Sequence, residues 1–244
     1  NKAKKTPFSL RSICKLHGCT KPLVCAAFLT LVDTGRVKLS DPISKYIPFS
    51  EVVTVKSKTR PVKEKPTLRH LITMTAGLKY EDCPAYAKVM SQIRKGEVKN
   101  LQGMCEGLAK APLQAEPGSR YDYSFTADVL GRVCEAVSGK RLDKFVQASL
   151  LRPLGMRDTY FEVPPKKRSR MAVLYNCQSL PASKRSRGAT HELKVWDHPQ
   201  SAPGIMSGGG GILSYKDPGM LSSAQDYARF CHMLMNNGKA LDGT

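Results

Sequence analysis

The segment Gly18-Cys19-Thr20-Lys21-Pro22 has the spacing of a catalytic motif but lacks the catalytic atom. In a Ser-x-x-Lys motif at the start of a helix, the hydroxyl and the amine lie one turn apart on the same face. A lysine whose pKa is lowered by burial can then help to deprotonate the serine, which attacks an ester or amide carbonyl. Lys21 is present, but position 18, where the nucleophile belongs, is a glycine and has no side chain with which to attack.

A complete Ser-x-x-Lys pattern occurs slightly earlier, at Ser12-Ile13-Cys14-Lys15. If Ser12 and Lys15 were the catalytic pair, Gly18 and Pro22 would fall inside the helix that follows. Proline inside a helix costs about 3 kcal/mol or more. This cost favours Gly18 and Lys21 as the catalytic positions, and the register of Ser12 and Lys15 stays open as the alternative.

The elements that must position these residues are predicted to be mainly helices. Residues 22–34 are almost entirely apolar, which predicts a central, buried helix that ends at Thr34-Gly35. Further helices are predicted from Leu68 to Ala76-Gly77, over 127–138 and over 142–150. Ser223 and Asp226 form a capping pair that predicts the start of another helix. The apolar face of that helix is predicted to comprise Tyr227, Phe230, Cys231 and Leu234.

The region from about 163 to 203 is rich in Lys, Arg, Ser and Pro, which predicts a loop or an insertion. The chain carries 39 Lys and Arg against 20 Asp and Glu, a formal net charge of +19. Basic runs at 166–170 and 184–187 could neutralise phosphates of a polyanion. No RNA-binding, zinc-finger or helix-turn-helix pattern accompanies this charge, so we interpret it as a solvated basic surface with incidental polyanion binding.

The cysteine and glycine patterns predict neither a metal site nor a cofactor. The eight cysteines are unevenly spaced, which favours a reducing compartment such as the cytoplasm, and Cys25, Cys134 and Cys231 are predicted to be small core residues. No paired Cys-x-x-Cys spacing supports a zinc site. The run 208–211 lacks the Gly-Lys-Ser/Thr ending of a phosphate-binding loop. No segment approaches the roughly 20 apolar residues of a membrane span.

Four sequence blocks, taken in order, resemble the serine beta-lactamase and penicillin-binding-protein family, especially its class C-like branch of esterases. The blocks comprise residues 21–42, residues 67–78, residues 117–124 with 153–159, and residues 208–230. The resemblance implies an α/β (α+β) fold of the beta-lactamase/transpeptidase type. It also implies a single domain over 1–244, truncated at both ends, because the strand expected before the nucleophile and the later Lys-Thr-Gly or His-x-Gly strand are not found. The fold expected is therefore mostly the helical part with an incomplete antiparallel sheet.

The resemblance also implies the roles of individual residues. Tyr123 falls at the tyrosine of the family's Tyr-x-Asn motif and inherits the role of general base or proton relay, with the charge of Lys21 favouring its ionisation. Phe125 replaces the asparagine, which argues against a specialist for lactams.

Two functions follow as hypotheses. The first is a beta-lactamase-related serine hydrolase that forms an acyl-enzyme with small esters or amides. The second is a catalytically inactive relative, a pseudoenzyme, that serves as a binding or assembly module. Gly18 favours the second hypothesis for this chain. The sequence does not predict the substrate or the oligomeric state.

Overall fold

Helix α1 (Thr20–Asp33) forms the centre of the computed structural model, which describes residues 7–80, 83–179, 191–195 and 219–240. Its side chains at Leu23, Val24 and Phe28 are fully buried. The helix is followed by Gly35, which takes the left-handed conformation at φ +69° that glycine adopts without strain. The predicted central helix is thus confirmed.

The remaining helices pack around α1 and around α5, which contacts α1, α2, α4 and α6. The helices after α1 are α2 (Leu68–Ile72), α3 (Ala87–Arg94), α4 (Leu101–Ala109), α5 (Thr126–Ser138), α6 (Leu142–Val146) and α7 (Ala224–Met235). A turn of π-helix, Gln147–Leu151, continues α6, so the helix predicted over 142–150 is present in two parts. Neither α3 nor α4 is predicted from the sequence above.

The described strands form three short antiparallel pairs. They are β1 (Ile13–Lys15) with β6 (Leu221–Ser223), β2 (Val52–Val55) with β3 (Lys58–Pro61), and β4 (Tyr175–Ser179) with β5 (His191–Val195). In the first pair, Ile13 lies opposite Ser223 and Lys15 lies opposite Leu221. The helices and these small antiparallel sheets form the mixed α/β architecture that the family resemblance implies.

Helix α7 begins where the capping pair predicts, because the Ser223 hydroxyl accepts a hydrogen bond from the Asp226 N–H at 3.2 Å. The predicted buried face is wrong at two positions, since Cys231 and Leu234 are exposed. The buried side chains are Asp226, Phe230 and Met233.

The helix is rotated about its axis relative to the prediction, and the inward position of Asp226 explains this rotation. Its Oδ2 accepts hydrogen bonds from the Asp158 N–H at 2.6 Å and from the Thr159 hydroxyl at 2.9 Å. These bonds hold the 226 side of the helix against the body of the protein. Of the cysteines predicted in the core, Cys134 is buried and Cys25 is half-buried.

The basic region predicted as a loop or insertion contains regular structure where it is described. A 3-10 helix covers Pro165–Arg170, and β4 pairs with β5 in an antiparallel register. The basic run 184–187 and the glycine run 208–211 lie outside the described residues. Within the described part of the chain, no helix has the length and apolar character needed to cross a membrane.

Candidate active site

The start of α1 is held in place by the strand pair beside it. A 3-10 turn, His17–Cys19, joins β1 to the helix. The Leu16 N–H donates to the Met220 carbonyl at 2.9 Å, and the Met220 N–H donates to the Thr20 hydroxyl at 2.9 Å. These two bonds tie the chain on both sides of position 18 to the segment that leads into β6, so the backbone at Gly18 has a fixed position.

Lys21 follows position 18 by about one helical turn, and its side chain is only 3% exposed. Its ammonium nitrogen lies 4.3 Å from the centre of the Tyr123 ring and 5.6 Å from the centre of the Tyr80 ring. A cation over the face of an aromatic ring is attracted by the ring's negative face. The structure therefore brings Lys21 and Tyr123 together in one pocket.

Gly18 lies beside the hydroxyl of Tyr123. A β-carbon built on Gly18 would stand 2.5 Å from the Tyr123 phenolic oxygen, closer than carbon and oxygen approach without a shift. The phenol thus occupies the space that a side chain at position 18 would need. Because the Tyr123 side chain is 48% exposed, it stands at the mouth of the pocket and has room to move outward.

Phe125 stands at the position of the motif's asparagine but places no polar group in the pocket. Its side chain is fully buried, and its ring packs edge-on against Tyr80 at 5.3 Å and against Tyr86 at 5.8 Å between centroids. Position 125 therefore contributes to the core and offers no hydrogen bond to a ligand.

Tyr80 is a residue of the pocket that the sequence analysis missed. Its ring packs edge-on against Tyr123 at 5.4 Å between centroids. Burial, and next the negative charge of Asp128, raise the pKa of the Tyr80 phenol, so this phenol stays protonated at neutral pH. It lies in the loop after α2, which ends at Ile72 and not at Ala76-Gly77 as predicted. This segment has no apolar periodicity of its own, so no local signal marks Tyr80.

The other Ser-x-x-Lys segment does not adopt the geometry of the motif. Cys14 and Lys15 belong to β1, and residues three apart along a strand point to opposite faces of the sheet. The Ser12 hydroxyl instead accepts a hydrogen bond from the Ser9 N–H at 3.0 Å. Ser12 and Lys15 therefore lack the one-turn helical spacing that Gly18 and Lys21 have.

The structure also describes the cysteines around the start of α1, Cys14, Cys19 and Cys25. Among the residues that the structure describes, no three or more His, Cys, Asp or Glu side chains are grouped so as to hold a metal ion. Burial raises the pKa of the Cys25 thiol to about 11, and the nearby charge of Lys21 acts in the opposite direction. Cys25 is thus an inert thiol at neutral pH, although it lies within the field of Lys21.

Comparisons with known proteins find a matching family model and similar proteins. The family model described as Beta-lactamase matches residues 1–244. Protein Rv1367c of Mycobacterium tuberculosis (strain ATCC 25618 / H37Rv) is 28% identical over 246 residues, which are 97% of this chain and 57% of that protein. Esterase EstB of Burkholderia gladioli is 32% identical over 160 residues, which are 64% of this chain and 40% of the esterase.

A similar solved structure is EstCE1, described as a hydrolase with promiscuous acyltransferase activity. The two folds superpose with a TM-score of 0.73 at 24% identity, covering 99% of this chain and 63% of EstCE1. The chain therefore spans only about half the length of the curated relatives it matches.

Proposed function

The chain belongs to the beta-lactamase family, and on that premise we propose that it is a member without a nucleophile, which binds small esters or amides but does not form an acyl-enzyme. The observation that carries this proposal is the juxtaposition of Gly18, Lys21 and Tyr123 at the start of α1. The wider family comprises hydrolases and acyltransferases related to beta-lactamases.

In a complete site of this kind, a serine oxygen attacks the carbonyl carbon while a neighbouring base takes its proton. The carbonyl π bond breaks, a tetrahedral intermediate forms, and the leaving group departs with a proton. In this chain the buried ammonium of Lys21 and the phenol of Tyr123 supply the groups for the proton transfers. Gly18 supplies no oxygen, so the first bond to the carbonyl carbon cannot form.

What remains is a pocket that can hold a ligand without covalent chemistry. Lys21 and Tyr123 both have N–H or O–H groups that donate hydrogen bonds to a carbonyl or carboxylate oxygen. The ring of Tyr80 provides an apolar wall beside them. Because Phe125 is buried and stands where the motif has an asparagine, the pocket lacks the hydrogen bond that the asparagine amide would make to a ligand. This argues against specific binding of lactams.

The test is hydrolysis of p-nitrophenyl butyrate and nitrocefin by the purified protein, compared with the same mass of an unrelated protein. We expect equal rates, because binding and positioning without a nucleophile do not form the covalent intermediate. Turnover above that background which falls in the Lys21→Met variant would overturn the proposal. Turnover that falls in Ser12→Ala, and not in Lys21→Met, would transfer the activity to the other Ser-x-x-Lys segment.

A further inference from the structure

A cavity of about 320 Å³ lies where the segment before β1 meets the 3-10 helix Pro165–Arg170. Its polar lining consists of three arginines and three serines. These residues are Ser9, Arg11, Ser12, Arg168, Ser169 and Arg170. No acidic residue is among the described residues that line it.

Arg170 fixes the geometry of this cavity and is balanced by a carboxylate. Its guanidinium pairs with Asp158 at 2.6 Å and donates through Nε to the Arg11 carbonyl at 3.1 Å. Because these contacts join residues 159 positions apart, they hold the two walls together. Arg170 is therefore part of the wall, and its charge is partly balanced by Asp158, which Lys167 also contacts at 2.8 Å.

The remaining positive charge belongs to Arg11 and Arg168. Arg11 is exposed on the surface of the described structure. Arg168 meets Glu162 at 3.4 Å, but the Glu162 side chain is 70% exposed, and a surface pair of this kind contributes little. The Arg168 Nε also donates to the Val163 carbonyl at 3.3 Å, which leaves its remaining N–H groups for an anion. The cavity therefore offers the guanidinium of Arg11 and part of that of Arg168.

Two serine hydroxyls of the cavity each accept one hydrogen bond from the backbone. The Ser12 hydroxyl accepts from the Ser9 N–H at 3.0 Å, and the Ser9 hydroxyl accepts from the Arg11 N–H at 3.3 Å. With an acceptor site of each oxygen used by the backbone, each O–H hydrogen is left to donate. Arginine also donates only. A lining of donors fits a ligand that is mainly an acceptor, and an ionised phosphate is such a ligand.

We propose that this cavity is a binding site for a phosphate monoester. Arg11 and Arg168 contact the phosphate oxygens, and the hydroxyls of Ser9 and Ser12 donate to them. The remaining volume takes part of the group that carries the phosphate. This site gives Ser12 a role in binding that requires no nucleophilic chemistry, and it stands independently of the function proposed for Lys21 and Tyr123.

The test is calorimetric titration at low salt with two probes, inorganic phosphate and phenyl phosphate. We expect both to bind the unmodified protein, and Arg11→Gln to weaken phenyl phosphate binding about tenfold by removing a charge-assisted hydrogen bond. Ser12→Ala changes no charge and should weaken it less, about threefold, because it removes one hydroxyl donor to the phosphate. Circular dichroism checks that each variant is folded, and Ser9→Ala replaces Ser12→Ala if the latter is not.

Lys88→Gln is the matched control, because Lys88 is an exposed residue of α3 outside the cavity and the substitution removes the same charge as Arg11→Gln. Its affinity should equal that of the unmodified protein. An equal loss in Lys88→Gln and Arg11→Gln would mean attraction to net charge alone and would overturn the site. Failure of both probes to bind would also overturn it.

Two further arms identify the source of the phosphate. The first arm uses vesicles that contain phosphatidic acid. If phenyl phosphate displaces the vesicles and Ser12→Ala weakens their binding, they bind through the cavity. This result would support the site with a lipid headgroup as the ligand. If heparin or vesicles bind but neither phenyl phosphate nor Ser12→Ala has an effect, the anion is held by the general basic surface, and the proposal is wrong.

Discussion

At the scale of single residues, the chain has a buried cation, Lys21, but lacks the serine hydroxyl at position 18 that such a cation helps to deprotonate. Lys21 is 3% exposed and lies against two tyrosine rings. Removing an ammonium from water costs several kcal/mol, and its interaction with aromatic faces offsets about 2 kcal/mol of that cost. A residue retained at such a cost is typical of a binding site rather than of a structural core.

Lys21→Met tests that interpretation. Methionine fills a similar volume without a charge, so we expect the free energy of unfolding to rise by about 1 kcal/mol. Urea denaturation followed by circular dichroism measures it, and the exposed Lys88→Met serves as the control, with no comparable rise expected. A loss of more than about 1 kcal/mol in Lys21→Met would show that the charge supports the fold.

The residue types at the pocket could largely be predicted from the sequence, because Gly18, Lys21 and Tyr123 each lie in a short pattern of fixed spacing. Their juxtaposition across about a hundred positions of chain follows from the resemblance and is not derivable from local patterns. Tyr80 could not be predicted, because its place in the pocket depends on ring packing with Tyr123 and Phe125.

At the scale of elements, α7 and the strand pair before it contact the start of α1. The helix follows β6 directly, and the Tyr227 hydroxyl donates to the Cys19 carbonyl at 3.2 Å. The Tyr227 side chain therefore links the start of α7 to the residue next to position 18. The capping pair predicted where α7 begins, but the hydrophobic pattern did not predict its rotation, because a buried carboxylate rather than an apolar residue sets it.

Asp226→Ala is expected to lower the free energy of unfolding by about 2 kcal/mol, because a part-buried N–H and a buried hydroxyl lose this acceptor. Those donors are the Asp158 N–H and the Thr159 hydroxyl. Asp226→Asn keeps one acceptor oxygen and should lose less. The exposed neighbour Gln225→Ala should change stability by less than about 0.5 kcal/mol. Equal losses in Asp226→Ala and Gln225→Ala would contradict this account.

At the scale of the whole molecule, composition predicts the net charge. It does not predict where the charged side chains lie or which residues they contact. The net charge of +19 follows from the sequence alone. That Arg170 and Lys167 both reach the Asp158 carboxylate, at 2.6 Å and 2.8 Å, depends on a 3-10 helix within a region predicted as a loop or insertion. The basic surface is thus partly organised, which composition does not reveal.

The pairing of Asp158 makes stability depend on acid. Hydrogen bonds from Arg170 first, and then from Lys167, lower the pKa of Asp158 to about 2 from its ordinary value of 3.8. A lowered native pKa means that the contribution is complete above about pH 4 and is lost as the pH falls towards 2.

We therefore expect the unmodified protein to lose more stability between pH 5 and about pH 2.5 than Asp158→Asn, in thermal melts at each pH. Asp33→Asn removes an exposed carboxylate at the end of α1 and should keep the pH dependence of the unmodified protein. Identical pH dependence in Asp158→Asn and the unmodified protein would show that these contacts do not stabilise the fold.

The measurement that bears most directly on the missing nucleophile is intact-mass spectrometry after exposure to a fluorophosphonate. A serine in a competent site forms an oxygen–phosphorus bond while the phosphorus–fluorine bond breaks. We predict no adduct on the unmodified protein and a single adduct at position 18 in Gly18→Ser, with Tyr123 moving outward to admit the new side chain. A single adduct on the unmodified protein that disappears in Ser12→Ala would contradict the assignment of Gly18 as the nucleophile position.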